Sequence, residues 1–556
     1  MRKIISFCLA AVLAVGISYS TSRCGNGLSD GAASHIMNLL PGDTDLAVKV
    51  KSLKAICRYP GDGNNAAVRR LSDDLKFSPD TEYLRASGFD TGKEAVLFVR
   101  DWTVVERDGV PDLSVLALMP VTDLEKAAGA VKDAVRKRWP TVRFTETVAA
   151  TFFEVPGGSV TGCILDHRGW LCVGINPGGS VDAAVRAFSE MGTPLGHTPA
   201  YRDVAAKINT GEDIFVFLNC KKIAEKNMRR LGRTDAAGGI TPDFPEGYES
   251  AGLTADLSLS DLVISGVLNM APESLLLSLT AGLRFDKEVI TGVDAPPVAL
   301  FSSSVNPGAY YQAALARMSE TERRNFENYR KELEAQWGIR LEKDIVENMT
   351  GSVNFGIYDS ASISMTNHNM VVAIGVKDAA GAQAALEKAV ASAQARPGVV
   401  VQKISVGGTD AFGINLFGMF QLYAGIRDRH LILSSGRLMF ERAVSADRGA
   451  GFLSKVRDPA LADGLKDDRG ILFVDVKEAS AVIRTFSFLI RNLNGGDPPD
   501  ENLLQDLKPF EYLLIRHRVK GRTLFGEFRL KTAFTGPFFL EIQRHFEQLN
   551  QADAAN

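Results

Sequence analysis

The sequence predicts an α+β protein built as two tandem similar domains, each a mixed, mainly antiparallel sheet with helices packed on one face. Three observations predict it. Strand and helix motifs recur in one unbroken order at offsets of roughly 250 to 262 residues. Strands come singly between helices and also in tight hairpins. The composition is that of a globular chain, 45% hydrophobic and 23% charged over 556 residues, long enough for two or more cores. A doubly wound parallel sheet is the alternative, and the hairpins and the final meander argue against it.

The chain opens with "MRKIISFCLAAVLAVGISYS": a basic start at Arg2 and Lys3, an apolar run from Ile4 to about Ile17, then small polar residues. These are the three parts of a secretory signal, and the run is shorter than the ~20 residues of a membrane-spanning helix. Residues 1–23 are therefore read as a signal peptide and 24–39 as a spacer. Ser18 and Ser20 suit ordinary cleavage. Cys24 stands where a bacterial lipoprotein signal places its lipid-accepting cysteine, but Arg23 occupies the position that such signals fill with a small residue. Local sequence alone favours cleavage without a lipid. The formal net charge of -3 is too near neutral for electrostatic capture of nucleic acid.

The first half, 40–285, and the second, 296–535, answer each other motif by motif across a linker at 286–295. "DTDLAVKVKSLKAICR" from Asp43 matches "PPVALFSSSVNPGAYYQAAL" from Pro296, and "FDTGKEAVLFVRD" matches "NMTGSVNFGIYD". "LSVLALMPVTDLEKAAGAV" matches "MVVAIGVKDAAGAQAALEKAV", with Asp123 and Asp378 as helix N-caps. Two hairpins follow, with Asp166 and Asp428 at their turns, then a helix, a strand and a helix in each half, and last two alternating strands. Within the second half, "MSETERRNFENYRKELEAQW" reads as a charged, solvated helix capped by Ser319 with Glu322 at the third position. Residues 536–556 read as an amphipathic C-terminal helix and tail docking on its own core, with a membrane-surface or partner helix as the sharper option.

Catalytic signatures are absent: no dinucleotide or phosphate loop, no nucleophile elbow, no zinc-binding pair of histidines. His35, His167, His197, His368, His430, His517 and His545 lack metal-ligand spacing. His167 and His430 sit in corresponding hairpins and read as surface turn residues. Two "PGGSV" turns and the acidic "GGDPPDENLLQD" loop read as structural. Cys163 and Cys172 flank a turn; a two-residue turn at His167-Arg168 would set them opposite for a disulfide, a three-residue loop would leave them diagonal, and two buried thiols are the other outcome. Ser360, in "YDSAS", falls in a short sequence like the O-glycosylation acceptor of Bacteroides-type bacteria.

Together these features resemble the uncharacterised envelope lipoproteins of Bacteroides-type bacteria that share a large domain of unknown function. The "LLPGDTDLAVKVKSLKAI" opening, "ASGFDTGKEAVLFV", "TPAYRDVAAKINTGEDIFVFLN" and the restart at "PPVALFSSSVNPGAYYQAAL" carry the resemblance, from about Cys24 to Thr535. It implies a lipid on Cys24, seventeen residues before Pro41, and tips the balance toward anchoring; it supplies no catalytic residues. The expectation is an exported envelope lipoprotein facing the periplasm. It is expected to need no cofactor or metal, to meet the membrane through its N-terminal anchor, and to offer a binding or scaffolding surface to an unknown protein or envelope polymer. A hydrolase acting on an envelope polymer and a periplasmic small-molecule receptor are the alternatives.

Overall fold

The structure is a computed structural model that describes residues 35–54, 81–100, 106–107, 110–111, 115–148, 150–156, 160–176, 192–231, 247–256, 259–280, 283–363, 368–418, 420–445, 451–466, 469–484, 507–538, 541–542 and 544–545. Helices and antiparallel sheet together make it an α+β protein, as expected. Its described residues divide into two compact units. One runs to Ser274 and adds Thr523–Glu527 and the residues from Phe534; the other comprises Leu275–Arg522 and Phe528–Ala533.

The first unit holds β1 (Leu46–Val50), β2 (Ala95–Val99), β3 (Val115–Pro120), β4 (Arg143–Glu146), β5 (Thr151–Val155), β6 (Val160–His167), β7 (Trp170–Asn176), β8 (Ile214–Leu218), β9 (Tyr248–Asp256) and β10 (Leu262–Met270). Antiparallel pairing sets them in the order β4-β5-β6-β7-β3-β2-β1-β8-β9-β10. Three helices matter here: α1 (Leu124–Arg138), α2 (Pro199–Ala205) and α3 (Cys220–Leu231).

Helices lie on both faces of this sheet, a correction to the expectation of one face. Cys163 and Leu165 of β6 and Ala47 of β1 belong to a core with Tyr201 and Val204 of α2. Ile164 between those cysteine-face residues packs with α1, and Leu46 and Val48 pack with Ile223 of α3. The cause is legible in the strands: adjacent residues of β1 and β6 are apolar, and since neighbours point to opposite faces, both faces need cover.

The second unit holds β11 (Pro297–Ser304), β12 (Met349–Tyr358), β13 (Met370–Val376), β14 (Val399–Val406), β15 (Thr409–Leu416), β16 (Phe420–Arg427), β17 (His430–Ser434), β18 (Gly470–Asp475) and β19 (Phe510–Lys520). The described pairings run β14-β15-β16-β17-β13-β12-β11-β18-β19, all antiparallel. Adding ten to each of the first nine numbers of the first order reproduces this one.

Its helices include α4 (Glu288–Thr291), α5 (Pro307–Arg317), α6 (Glu320–Trp337), α7 (Ala379–Gln394), α8 (Arg437–Val444) and α9 (Pro459–Lys466). The expected caps are made. Asp123 Oδ1 accepts from Lys126 N at 3.1 Å and Asp378 Oδ1 from Ala380 N at 3.0 Å. Ser319 and Glu322 form the reciprocal capping box of α6. The stretch 286–295 does not behave as a linker: Ile290 and Val293 are fully buried in the second core, and the Tyr358 hydroxyl donates to the Ile290 carbonyl at 2.6 Å. Its apolar residues are too many for a solvated connection, and α4 covers the sheet with them. Of the C-terminal segment, Phe538 is buried and its N–H donates to the Leu259 carbonyl at 2.7 Å, so that end docks in the first unit.

Candidate functional site

A cleft of about 440 Å³ opens in the second unit where β13 hands over to α7. That volume lies in the range of small-molecule sites. The handover contributes Lys377 and Asp378, α7 contributes Lys388, and the π-helical segment Leu341–Val346 with its N-cap contributes Arg340, Lys343 and Asp344. Most of this charge is spent internally. Arg340 binds Asp344 through its backbone N–H and two guanidinium nitrogens at 2.9 to 3.3 Å, and holds that carboxyl below its usual range. Lys377 Nζ donates to the Glu347 carbonyl at 2.7 Å, and the Asp378 N–H donates to Asn348 Oδ1 at 2.7 Å. Lys343 and Lys388 leave the cleft a mixed, mildly basic lining.

A second gathering lies under the same sheet. Ser302 and Ser304 of β11 face Asn354 and Ser352 of β12, in register and all buried. Asn354 Nδ2 donates to Ser352 Oγ at 3.2 Å. The segment leading into α4 closes over them: Asp286 N–H donates to Ser352 Oγ at 3.4 Å, and Lys287 Nζ donates to the Arg469 carbonyl at 3.0 Å. His430 Nδ1 lies 3.0 Å from the Asp428 carbonyl, while its Nε2 is 3.8 Å from Asp286 Oδ2, beyond hydrogen-bond reach. Among the described residues, no serine hydroxyl is hydrogen-bonded to that imidazole.

Two buried charges of the first unit are paired. Lys49, 1% exposed, binds Glu94 at 2.7 Å, and Asp45, fully buried, takes Lys226 Nζ at 2.7 Å. Arg100 Nε donates to Asp43 at 3.0 Å. These four residue types in this pattern can brace strand ends; none is poised as a free acid or base.

The residues singled out from sequence fall as follows. Cys24 lies outside the described residues, as do the second "PGGSV" turn and the acidic loop. Cys163 and Cys172 are buried free thiols, and the disulfide is not formed. The turn falls on Arg168 and Gly169, at φ 55° and 80°, one residue later than a turn at His167-Arg168, because Asp166 Oδ1 accepts the Gly169 N–H at 2.9 Å. Cys163 then opposes Gly174 and Cys172 opposes Leu165. Burial pushes the Cys163 thiol up to about 11, which makes it inert. Ser360 is half-buried and gives its hydroxyl to Glu478, rather than presenting it on an open loop. His167 and His430 are buried, 8% and 7% exposed, not surface turn residues. They end β6 and begin β17, so each ring turns inward with its strand. Sequence reasoning missed the buried serines and Asn354; the run "FSSSVN" was the signal, small hydroxyls alternating in a strand.

The fold class and this set of internally paired groups define an antiparallel α+β protein with a polar cleft. No protein family matches the chain, and no curated protein matches it. Among solved structures, crystal form III of TP0453 is similar at TM-score 0.25 and 8% identity, over 43% of this chain and 80% of that one. Crystal form IV of TP0453 gives TM-score 0.24 and 10% identity, over 46% and 91%.

Proposed function

We propose that the chain is an exported cell-envelope lipoprotein of the Bacteroides-type family it resembles, held by a lipid on Cys24 and facing the periplasm. Its two halves, 40–285 and 296–535, are a tandem duplication that serves as a non-enzymatic binding or scaffolding surface for a protein or envelope polymer. One observation carries the reading: the ladder order of the first unit returns in the second, strand for strand. Duplicated frames of this kind suit repeated surfaces, and in the cleft Arg340 and Asp344 are spent on each other. The test is fractionation of the exporting cell with and without Cys24→Ser, followed by co-sedimentation of the released chain with purified cell-wall polymer. Retention in the membrane only with Cys24, and polymer binding without turnover, are the expected results. A soluble wild-type chain would overturn the anchor, and polymer cleavage would overturn the non-enzymatic part.

The hydrolase reading has one observation in its favour. Burial holds Asp475 above the usual carboxylate range, and Glu478, which takes the Ser360 hydroxyl, lies beside it. Asp475 Oδ1 also accepts the Glu478 N–H at 2.9 Å, which is the work of a helix cap. Any cleavage seen above must vanish in Asp475→Asn for this pair to be its source.

A further inference from the structure

An apolar point stands out at one end of the second unit. The turn between β15 and β16 carries Phe417, 67% exposed, and leads into Phe420, 48% exposed; Val400 of the neighbouring edge strand β14 is 67% exposed. Leu416 pairs with both Phe420 and Val399, and the Phe417 N–H donates to the Gly398 carbonyl at 2.7 Å, so these residues share one end of the sheet, with Phe420 on one face and Val400, which pairs with Asn415, on the other. Phe417 holds φ 56°, a conformation that bulky residues adopt only at a cost, and such outliers cluster at working surfaces. Its ring lies against Gly398, where a Cβ would sit 2.5 Å from it.

The charge around this point has one sign close in. No charged residue occurs from Ala411 to Ile426. On the adjoining turn stands Arg396, 4.2 Å over the Trp337 ring and hydrogen-bonded to Gln336, neither of them charged. Lys403, further along β14, is paired with Asp410 at 3.8 Å and adds no net charge there. The first unit treats the same ladder position differently. Its edge strand β4 reads Arg143-Phe144-Thr145-Glu146, with Glu146 bound to Lys132, and the connection from β5 to β6 reads Pro-Gly-Gly-Ser in sequence. Charged edges of that kind block association; the end of β14 beside the Phe417 turn, Val399 to Gln402, carries no charge.

Taking ~200 Å² for an aromatic side chain and somewhat less for valine, the three exposures amount to roughly 350 Å², under half of the ~800 Å² per partner that a stable protein interface buries. The point is too small for a second copy of the chain, yet it has the composition of an interfacial membrane contact: aromatic and aliphatic tips, with a tryptophan and an arginine behind them. We propose that Phe417, Phe420 and Val400 enter the headgroup boundary of an anionic bilayer, with Arg396 at the level of the lipid phosphates. This contact is separate from the lipid on Cys24 and would orient the second unit on the membrane.

The test uses the exported chain carrying Cys24→Ser, sedimented with vesicles of phosphatidylcholine alone or with one-quarter phosphatidylglycerol. Every variant is compared with that parent, so contributions from elsewhere in the chain cancel. Phe417→Ser combined with Phe420→Ser should lower partition onto anionic vesicles about tenfold or more. Arg396→Gln should lower it on anionic vesicles only, and Leu438→Ser, which removes an apolar side chain 55% exposed elsewhere on the unit, should change nothing. Near-ultraviolet circular dichroism confirms that each variant is folded. A parent that binds neither vesicle, or a double variant that binds as the parent does, overturns the proposal. A parent dimer, seen without vesicles by sedimentation velocity and lost in the double variant, would also overturn it and assign the point to a second copy. Failure to find a lipid on Cys24 would sink the anchor and leave this result standing.

Discussion

Tyr358 and Ile290 offer the sharpest check on how the second unit is assembled. The Tyr358 hydroxyl is fully buried and donates to the Ile290 carbonyl at 2.6 Å, and burial raises its pKa well above the ordinary tyrosine value. Tyr358→Phe keeps the ring and removes the donor, which leaves a buried carbonyl short of a partner at a cost of about 1–3 kcal/mol. Ile290→Ala empties a fully buried site and should cost about 2–5 kcal/mol. Urea unfolding reads both as a fall in midpoint at unchanged slope. Hydrogen exchange localises the effect, since the Thr291 and Gly292 amides, bonded to the Lys287 and Glu288 carbonyls, should lose protection first. Were 286–295 a solvated linker, neither variant would move the midpoint by more than about 0.5 kcal/mol, and the two amides would exchange as freely in the parent.

Three further outcomes follow from the same structure. Asp123→Ala and Asp378→Ala should each lower the urea midpoint, with Asn at either position restoring most of it, because each caps a long helix through one carboxylate oxygen. Burial, with Lys287 nearby, lowers the pKa of His517, so unfolding takes up a proton; stability is full above about pH 6.5 and falls as the pH drops below that value. The loss of midpoint between about pH 7 and pH 5 should therefore shrink in His517→Gln. Cys163, Cys172 and Cys220 should resist a thiol reagent in the folded chain and react once it is unfolded; fast reaction in the native state would contradict their burial.

Features that depend on a few neighbouring residues were legible in the sequence. Asp123, Asp378 and Ser319 announced helix starts because a cap is satisfied within one turn, and the hairpins at Asp166 and Asp428 announced themselves through turn chemistry. Register was harder. A single side-chain bond, Asp166 to the Gly169 amide, moves the turn by one residue and separates Cys163 from Cys172. Burial was harder still, because it depends on what the chain folds over a residue. His167, His430 and the 286–295 segment look solvated locally and are covered by distant elements. Two-sided packing of β1 and β6 was written in their adjacent apolar residues, but the hairpin pattern suggested a one-sided sheet. Of the candidate sites, the cleft at the head of α7 is assembled from three separated stretches, none of which carries a motif.

Mass spectrometry of the mature N-terminus tests the central claim most directly. The account predicts a chain that begins at Cys24 and carries the added mass of a lipid. An unmodified N-terminus near Thr21 would contradict it, and would show that Arg23 bars the peptidase from its small subsite.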